Sequence, residues 1–291
     1  MNNRNTGLKI LFGPSYSQWV YDPDRLSFIT PYYLSLQTSK YAYQIYSQLL
    51  HEDSQSNLLT DPSNLLNNSI NPSNLLNNPP NSQNTQLEWM IALNRTHEKQ
   101  ILVTSPSILL WDMFGGIGTD SIYLSRYFNV IVTEIDKTVH DLSVKNVRTF
   151  NKTNINLVND NCINMIGKIN PSVVYFDPPW GNTYKSRTKN FDFNEVYIDC
   201  PEHIPPNLLP NIPQNLLLEI PLDHEDSPIM NRINININCI DLLRYIHTHV
   251  TPYIIVKSPI NSNTFERAFS NSVQYIHKCP NKNLKFIYLS R

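Results

Sequence analysis

The stretch Val173–Lys185, V-V-Y-F-D-P-P-W-G-N-T-Y-K, ends an apolar run in an acid, two prolines and a tryptophan. Neither proline can join a sheet ladder or a helix interior, so the turn is stiff and its carbonyls stay open to a ligand. A nucleobase amino group needs such acceptors. Its lone pair is delocalised into the ring, which makes it a poor nucleophile. Acceptors at the Asp177 carboxylate and the Pro178 carbonyl would hold its N–H bonds and turn the lone pair toward a methyl group. The gain comes from alignment and from stabilised charge in the transition state. The face of Trp180 is then placed to stack on the base. A base that already carries positive charge adds a cation–π contribution of about 0.5–2 kcal/mol. Lys185, Arg187 and Lys189 follow at alternate positions. They suit the phosphates of a cap or nucleic-acid backbone, or a solvated polar loop.

A second constellation lies upstream. D-M-F-G-G-I-G-T-D-S (112–121) places Asp112 and Phe114 ahead of Gly115, Gly116 and Gly118. Glycines there allow a tight turn and let a ligand approach the main chain, and the following helix offers unpaired N–H groups. Glu134 stands 22 residues after Asp112, at the tip of the next apolar run. An acid so placed accepts hydrogen bonds from a ribose diol. Dinucleotides and S-adenosylmethionine both use this arrangement. The dinucleotide pattern G-x-G-x-x-G fails because Ser121 takes the third glycine position. The pattern D-x-F-x-G-x-G suits S-adenosylmethionine, which has no pyrophosphate to seat. Asp160, in L-V-N-D-N (157–161), stands where a third strand should end. It would bond an adenine amino group or cap a helix.

The elements that must position these residues are legible as alternating patterns. Apolar runs at 108–114, 129–136 and 172–177 are separated by helical patterns at 119–128 and 137–150. Strand–helix alternation of this kind predicts an α/β fold, a parallel sheet with helices on both faces. Further on, a helix is expected over 239–250 and strands over 252–258 and 284–290. Ahead of the sheet, 30–50 reads as an amphipathic helix with Thr30 as N-cap and Pro31 at its first position. Another helix is expected over 86–103. Residues 61–80 hold two near-identical decapeptides, D-P-S-N-L-L-N-N-S-I and N-P-S-N-L-L-N-N-P-P. Two copies are too few for a solenoid, so the segment reads as a polar insertion. The domain reading is a helical N-terminal element over 1–50, an Asn-rich insertion over 51–85 and a catalytic domain over 86–291. A loop-rich insertion at about 186–235 interrupts that domain.

Composition narrows the rest. The 291 residues carry a formal net charge of −1, so any bound nucleic acid needs a local basic patch. The four cysteines have no C-x-x-C spacing, so no metal site is read from them, and buried reduced thiols are expected. No long apolar run opens the chain, so neither a signal peptide nor a membrane span is expected. The chain holds 38 asparagines, and Ile and Tyr are also abundant, which suggests an A/T-rich genome such as that of a protist or a large DNA virus.

The motifs at 112–121, 130–136 and 173–184 resemble those of class I S-adenosylmethionine-dependent methyltransferases. Within that superfamily the chain looks most like the trimethylguanosine synthases, the RNA cap guanine-N2 methyltransferases. Their glycine turn reads D-A-F-C-G-V-G-G-N-T and their fourth-strand motif S-P-P-W-G-G. R-L-S-F-I-T-P (25–31) is similar to the family's W-F-S-V-T-P segment, and 240–265 to its closing helix, strand and proline turn. The resemblance implies a Rossmann-like, mostly parallel seven-stranded sheet, S-adenosylmethionine as cofactor and 7-methylguanosine-capped RNA as partner. It implies that Trp180 stacks on 7-methylguanine and that Asp177 and Pro178 line the transfer site. Glu134 would hold the cofactor ribose, and Asp112, Phe114, Gly116 and Gly118 would form the cofactor turn. Thr30 and Pro31 would help close the cleft over the cofactor. A monomer is expected, working in the nucleus, the cytoplasm or a viral cytoplasmic factory. Two departures stand out: Asp177 replaces the family's serine and Asn182 its second glycine. D-P-P-W is also the signature of N6-adenine methyltransferases, which gives an alternative acceptor. A third reading is an inactive cap- or RNA-binding partner.

Overall fold

The computed structural model describes residues 2–23, 29–55, 108–180, 191–199, 236–279 and 283–291. At its centre lie the apolar runs. β1 (Leu109–Asp112), β2 (Asn129–Thr133), β3 (Ile155–Val158) and β4 (Val173–Phe176) are joined by β7 (Ile254–Pro259), β8 (Val273–Cys279) and β9 (Leu284–Leu289) in one seven-stranded sheet. The order is β3-β2-β1-β4-β7-β9-β8. β3 through β7 are parallel, and β9 is antiparallel to both β7 and β8. Every residue of β4, β7 and β9 is buried. Strands covered on both faces have no need of polar alternation, which is why β4 reads V-V-Y-F. This is the Rossmann-like, mostly parallel α/β architecture expected from the sequence.

The chain reverses its direction of growth between β1 and β4: β2 and β3 extend one way from β1, and β4 starts the other half. Ligands on open α/β sheets bind outside the carboxyl ends of the strands at such a switch point. Asp112 ends β1 and Asp177 follows β4, so both motifs open onto that one crevice.

Helices cover the sheet. α3 (Thr119–Leu124) starts at the glycine turn with Gly118 as its N-cap. α4 (Lys137–Thr149) starts at Asp136, whose carboxylate accepts from the backbone N–H groups of Thr138 and Val139 at 2.9 and 3.2 Å. α5 (Cys162–Met165) is one turn capped by Asn161. The helix expected over 239–250 is an α-helix, α6 (Cys239–Tyr245), running into a π-helical turn at Ile246–Val250. A short α7 (Thr264–Ala268) follows β7.

Ahead of the sheet come α1 (Asn2–Phe12) and α2 (Tyr32–Gln55). Residues Met1–Tyr43 and Pro106–Arg291 form one compact unit, and Gln44–Ser105 a second. α2 therefore runs past 50 into the range read as insertion. The decapeptide repeats and the helix expected over 86–103 lie outside the described residues. Asn146 of α4, fully buried, binds the N-terminal element to the sheet. Its Nδ2 donates to the carbonyls of Val20 (2.9 Å) and Ile117 (3.0 Å), and its Oδ1 accepts from Val20 N–H at 2.7 Å.

One expectation needs correction. The stretch read as loop from about 186 is ordered over 191–199 and contributes to the core. Phe191, Phe193 and Ile198 are buried, with the Phe193 ring 4.2 Å from that of Phe265. β5 (Tyr197–Asp199) pairs antiparallel with β6 (Asn236–Asn238). Cys162, Cys239 and Cys279 are buried thiols. Among the described residues no helix is long and apolar enough to cross a membrane.

Candidate active site

The glycine turn is built as its composition demands. A Cβ on Gly115 would stand 2.0 Å from Val132 Cγ1, and Gly115 N–H donates to Thr133 O at 2.8 Å. Turn and second strand therefore touch backbone to side chain. Gly116 and Gly118 have φ of 55° and 83°, the left-handed region that favours glycine. A Cβ on Gly116 would meet nothing within 4 Å. That is the open side, where a ligand can lie against the main chain.

Glu134 borders this space. Its Oε2 accepts from Gly116 N–H and its Oε1 from Asp136 N–H, both at 2.9 Å. These bonds fix the carboxylate at the edge of the cleft. Beyond it a cleft is lined by Phe114, Glu134, Ile135, Asp160, Pro179 and Tyr197. Ile135 is 61% exposed, an apolar side chain at the rim that suits a flat base. The helix cap at this point is Asn161, which accepts from Ile163 N–H at 2.9 Å. Asp160 Oδ1 accepts from Asn161 N–H and Asn164 Nδ2, both at 2.7 Å, while the side chain still lines the cleft. An acid for the ribose, an acid for the adenine amine, an apolar rim and a Cβ-free floor fit an adenosyl group.

On the other side of the switch point stands D-P-P-W. Register pairs Tyr175 with Ile255 and Phe176 with Val256, so the next positions along β4 and β7 are Asp177 and Lys257. Lys257 Nζ lies 2.5 Å from Asp177 Oδ2 and 3.5 Å from Asp120 Oδ2. It also lies 5.6 Å from the Trp180 ring centroid. Trp180 itself is half-buried against the core. Asp120 further accepts from Thr30 Oγ1 (2.8 Å) and Ser35 Oγ (2.5 Å). Asp112 is buried and accepts from the Ser121 hydroxyl.

Thr30 is thus not the N-cap of α2. The Pro31 carbonyl accepts from Leu34 and Ser35 N–H at 2.9 and 3.2 Å, so the helix starts one residue late and the Thr30 hydroxyl is released to Asp120. Thr30 and Pro31 are both buried, and the Thr30 bond brings them to the start of α3, beside the cofactor turn. Lys185 and Arg187 lie outside the described residues. Sequence reasoning missed Lys257, Asp120 and Tyr197. Lys257 did leave a signal: a lysine inside Y-I-I-V-K-S must be buried, and a buried ammonium needs a carboxylate.

Burial pushes the Asp177 carboxyl up to about 6, with Asp120 adding to the rise and Lys257 opposing it. Burial lowers the Lys257 ammonium, but Asp177 and Asp120 outweigh it and hold that group above the usual lysine range. Burial also pushes Asp112 up to about 7, against the Ser121 hydrogen bond and with Asp120 and Asp177 adding to the rise. A carboxyl whose folded value exceeds its unfolded one binds its proton more tightly when folded. Ionising it weakens the fold as pH rises from about 4 through about 7. Asp112→Asn removes that cost. Its stability advantage over the natural chain is expected to grow across that window and then level off, at no more than about 4 kcal/mol. Denaturant unfolding of both proteins between pH 4 and 8 measures the difference, and parallel curves would contradict it.

Residues 107–204, about a third of the chain, match a family model described as RNA cap guanine-N2 methyltransferase. No curated protein matches the sequence. Solved structures with similarity include an S-adenosylmethionine-dependent methyltransferase of Neisseria gonorrhoeae at 16% identity and TM-score 0.36, covering 63% of this chain and 61% of that one. An rRNA methylase of Streptococcus thermophilus is 8% identical with TM-score 0.37, covering 68% and 95%. The family match falls on the glycine turn, Glu134, Asp160 and the D-P-P-W tip together. The cofactor is S-adenosylmethionine, and the reaction is methyl transfer from it.

Proposed function

We propose that the chain methylates the exocyclic N2 amine of a 7-methylguanosine RNA cap. The observation that carries this reading is Trp180 at the tip of β4, its ring 5.6 Å from a Lys257 ammonium that is paired with Asp177 and Asp120, within the stretch that matches the cap guanine-N2 family. The ammonium nearest the indole, Lys257, is paired with two carboxylates, Asp177 and Asp120, so the carboxylates of this cluster outnumber its cation. An excess of that sign favours a cationic base, and N7-methylguanine is one.

Bound S-adenosylmethionine supplies an electrophilic methyl on a sulfonium. The chain's own residues then act by placement. Glu134 and Asp160 hold the nucleoside end, and the turn at Gly116 lets the cofactor lie against the backbone. Trp180 fixes the base plane. Asp177 and the Pro178 carbonyl accept the two amine N–H bonds and aim the nitrogen lone pair at the methyl carbon. Transfer would form an N–C bond as the donor's C–S bond broke, with the electron pair left on sulfur. The methylated amine is then acidic enough to lose a proton without a strong base. Lys185 and Arg187 supply cations for the cap phosphates. The enzyme is read as an intracellular monomer.

Asp177 favours a second reading, N6-adenine methylation, because the cap family has serine there. The third, an inactive binding partner, leaves an intact cofactor turn, ribose acid and amine acceptor without a use. Product chemistry separates them. After incubation with capped RNA and methyl donor, nuclease digestion and mass spectrometry are expected to show N2-methylated 7-methylguanosine. N6-methyladenosine would move the assignment to adenine, and no methylated nucleoside at all would support the binding partner.

A further inference from the structure

Asp177 is a carboxylate where the motif it resembles has a serine hydroxyl, and the neighbouring strand brings an ammonium to it. Lys257 is nearly buried, 4% exposed, with Nζ 2.5 Å from Asp177 Oδ2. A buried lysine is costly unless paired, and β7 would otherwise be apolar here, as its neighbours Ile254, Ile255 and Val256 are. The two groups neutralise each other. Asp177 Oδ1 carries no hydrogen bond from the described residues, and the side chain keeps 19% of its surface exposed. We infer that Lys257 is a positioning residue for methyl transfer: it clamps one oxygen of Asp177, keeps the group ionised, and so presents the other oxygen as a pure acceptor to the substrate amine. The inference rests on the reading of Asp177 as amine acceptor given above.

The chemistry behind it is direct. An ionised carboxylate only accepts hydrogen bonds, whereas a protonated one also donates. A proton on Asp177 would compete for the amine lone pair that must attack the methyl carbon. The groups facing Asp177 are Asp120 from α3, Asp112 from β1, Tyr175 from β4 and Lys257 from β7. Burial, together with the nearby carboxylate of Asp120, pushes Asp177 toward the protonated form, and Lys257 is the cation that opposes this.

Lys257→Met, Lys257→Arg and the double variant Asp177→Ser with Lys257→Met test it. The pH profile of kcat should show an acid limb near 6 in the natural enzyme. In Lys257→Met that limb should move up by about one unit or more, costing about twofold or more at about pH 7 and about tenfold well below the natural limb. Lys257→Arg should restore the natural profile. The double variant, neutral at both positions, should fold and show no acid limb in this range. If Lys257→Met fails to fold, Lys257→Gln, neutral but polar, carries the same comparison. The carboxyl of Asp177, followed by carbon-13 NMR without cofactor or substrate, should titrate near 6 in the natural protein. It should titrate higher in Lys257→Met, because the cation that opposes protonation is gone. An unmoved titration and unmoved acid limb, with activity tracking only the folded fraction, would overturn the inference. A natural protein that methylates no acceptor defeats the functional reading instead, and the carboxyl titration still decides whether Lys257 governs Asp177.

Discussion

Trp180→Ala is expected to lower kcat/KM for 7-methylguanosine-capped RNA by about 30- to 1,000-fold while the Kd for S-adenosylmethionine moves by less than about threefold. Stacking on an aromatic side chain contributes about 1–3 kcal/mol per base, and the charge of N7-methylguanine adds about 0.5–2 kcal/mol. Every 1.4 kcal/mol is tenfold. The cofactor should be spared if, as proposed, its nucleoside end is held by Glu134 and Asp160, which line the cleft without the indole. Trp180 also packs on the core and lies near Lys257. Trp180→Phe is the control, since it keeps a stacking face and should recover much of the loss. Unimpaired turnover in the alanine variant, at unchanged thermal stability, would sink the stacking role.

Glu134→Ala should weaken S-adenosylmethionine binding by about 10- to 100-fold. A charged acceptor contributes about 1.5–3 kcal/mol per hydrogen bond, and Glu134 is placed to accept from a ribose diol. The same carboxylate holds Gly116 and Asp136 N–H at 2.9 Å. Its loss therefore releases the glycine turn as well as the ribose contact. Glu134→Gln should not rescue, because an amide NH₂ turned toward either backbone N–H sets donor against donor. Calorimetry reads the result. An unchanged affinity would refute the ribose assignment.

Much of this site was legible before any coordinates, for physical reasons. β1, β2 and β4 are apolar runs that end in, or are closely followed by, an acid, and a central parallel strand can look no other way. The glycines of the turn announce themselves because Gly116 and Gly118 need left-handed φ and Gly115 has no room for a Cβ. What stayed hidden depended on pairing between distant segments. Lys257 meets Asp177 only through the β4–β7 register, 80 residues apart in sequence. Thr30 and Ser35 reach Asp120 across 90 and 85 residues. β8 went unread because it is an edge strand of mixed exposure with an irregular register between Val273 and Tyr275. β5 was masked by the proline- and asparagine-rich stretch around it, although Phe191, Phe193 and Ile198 were the local sign of a buried face. α1 begins N-N-R-N-T-G, with neither an acidic first turn nor a strong apolar stripe to mark it.

The most direct test uses labelled S-adenosylmethionine and three acceptors side by side: RNA with a 7-methylguanosine cap, RNA with an unmethylated guanosine cap, and uncapped DNA. Label confined to the N7-methylated cap is the predicted result, and it would tie Trp180 to a cationic base and Asp177 to the guanine N2 amine. Label on DNA, or equal label on both caps, would contradict the assignment and make an uncharged base the substrate of this crevice.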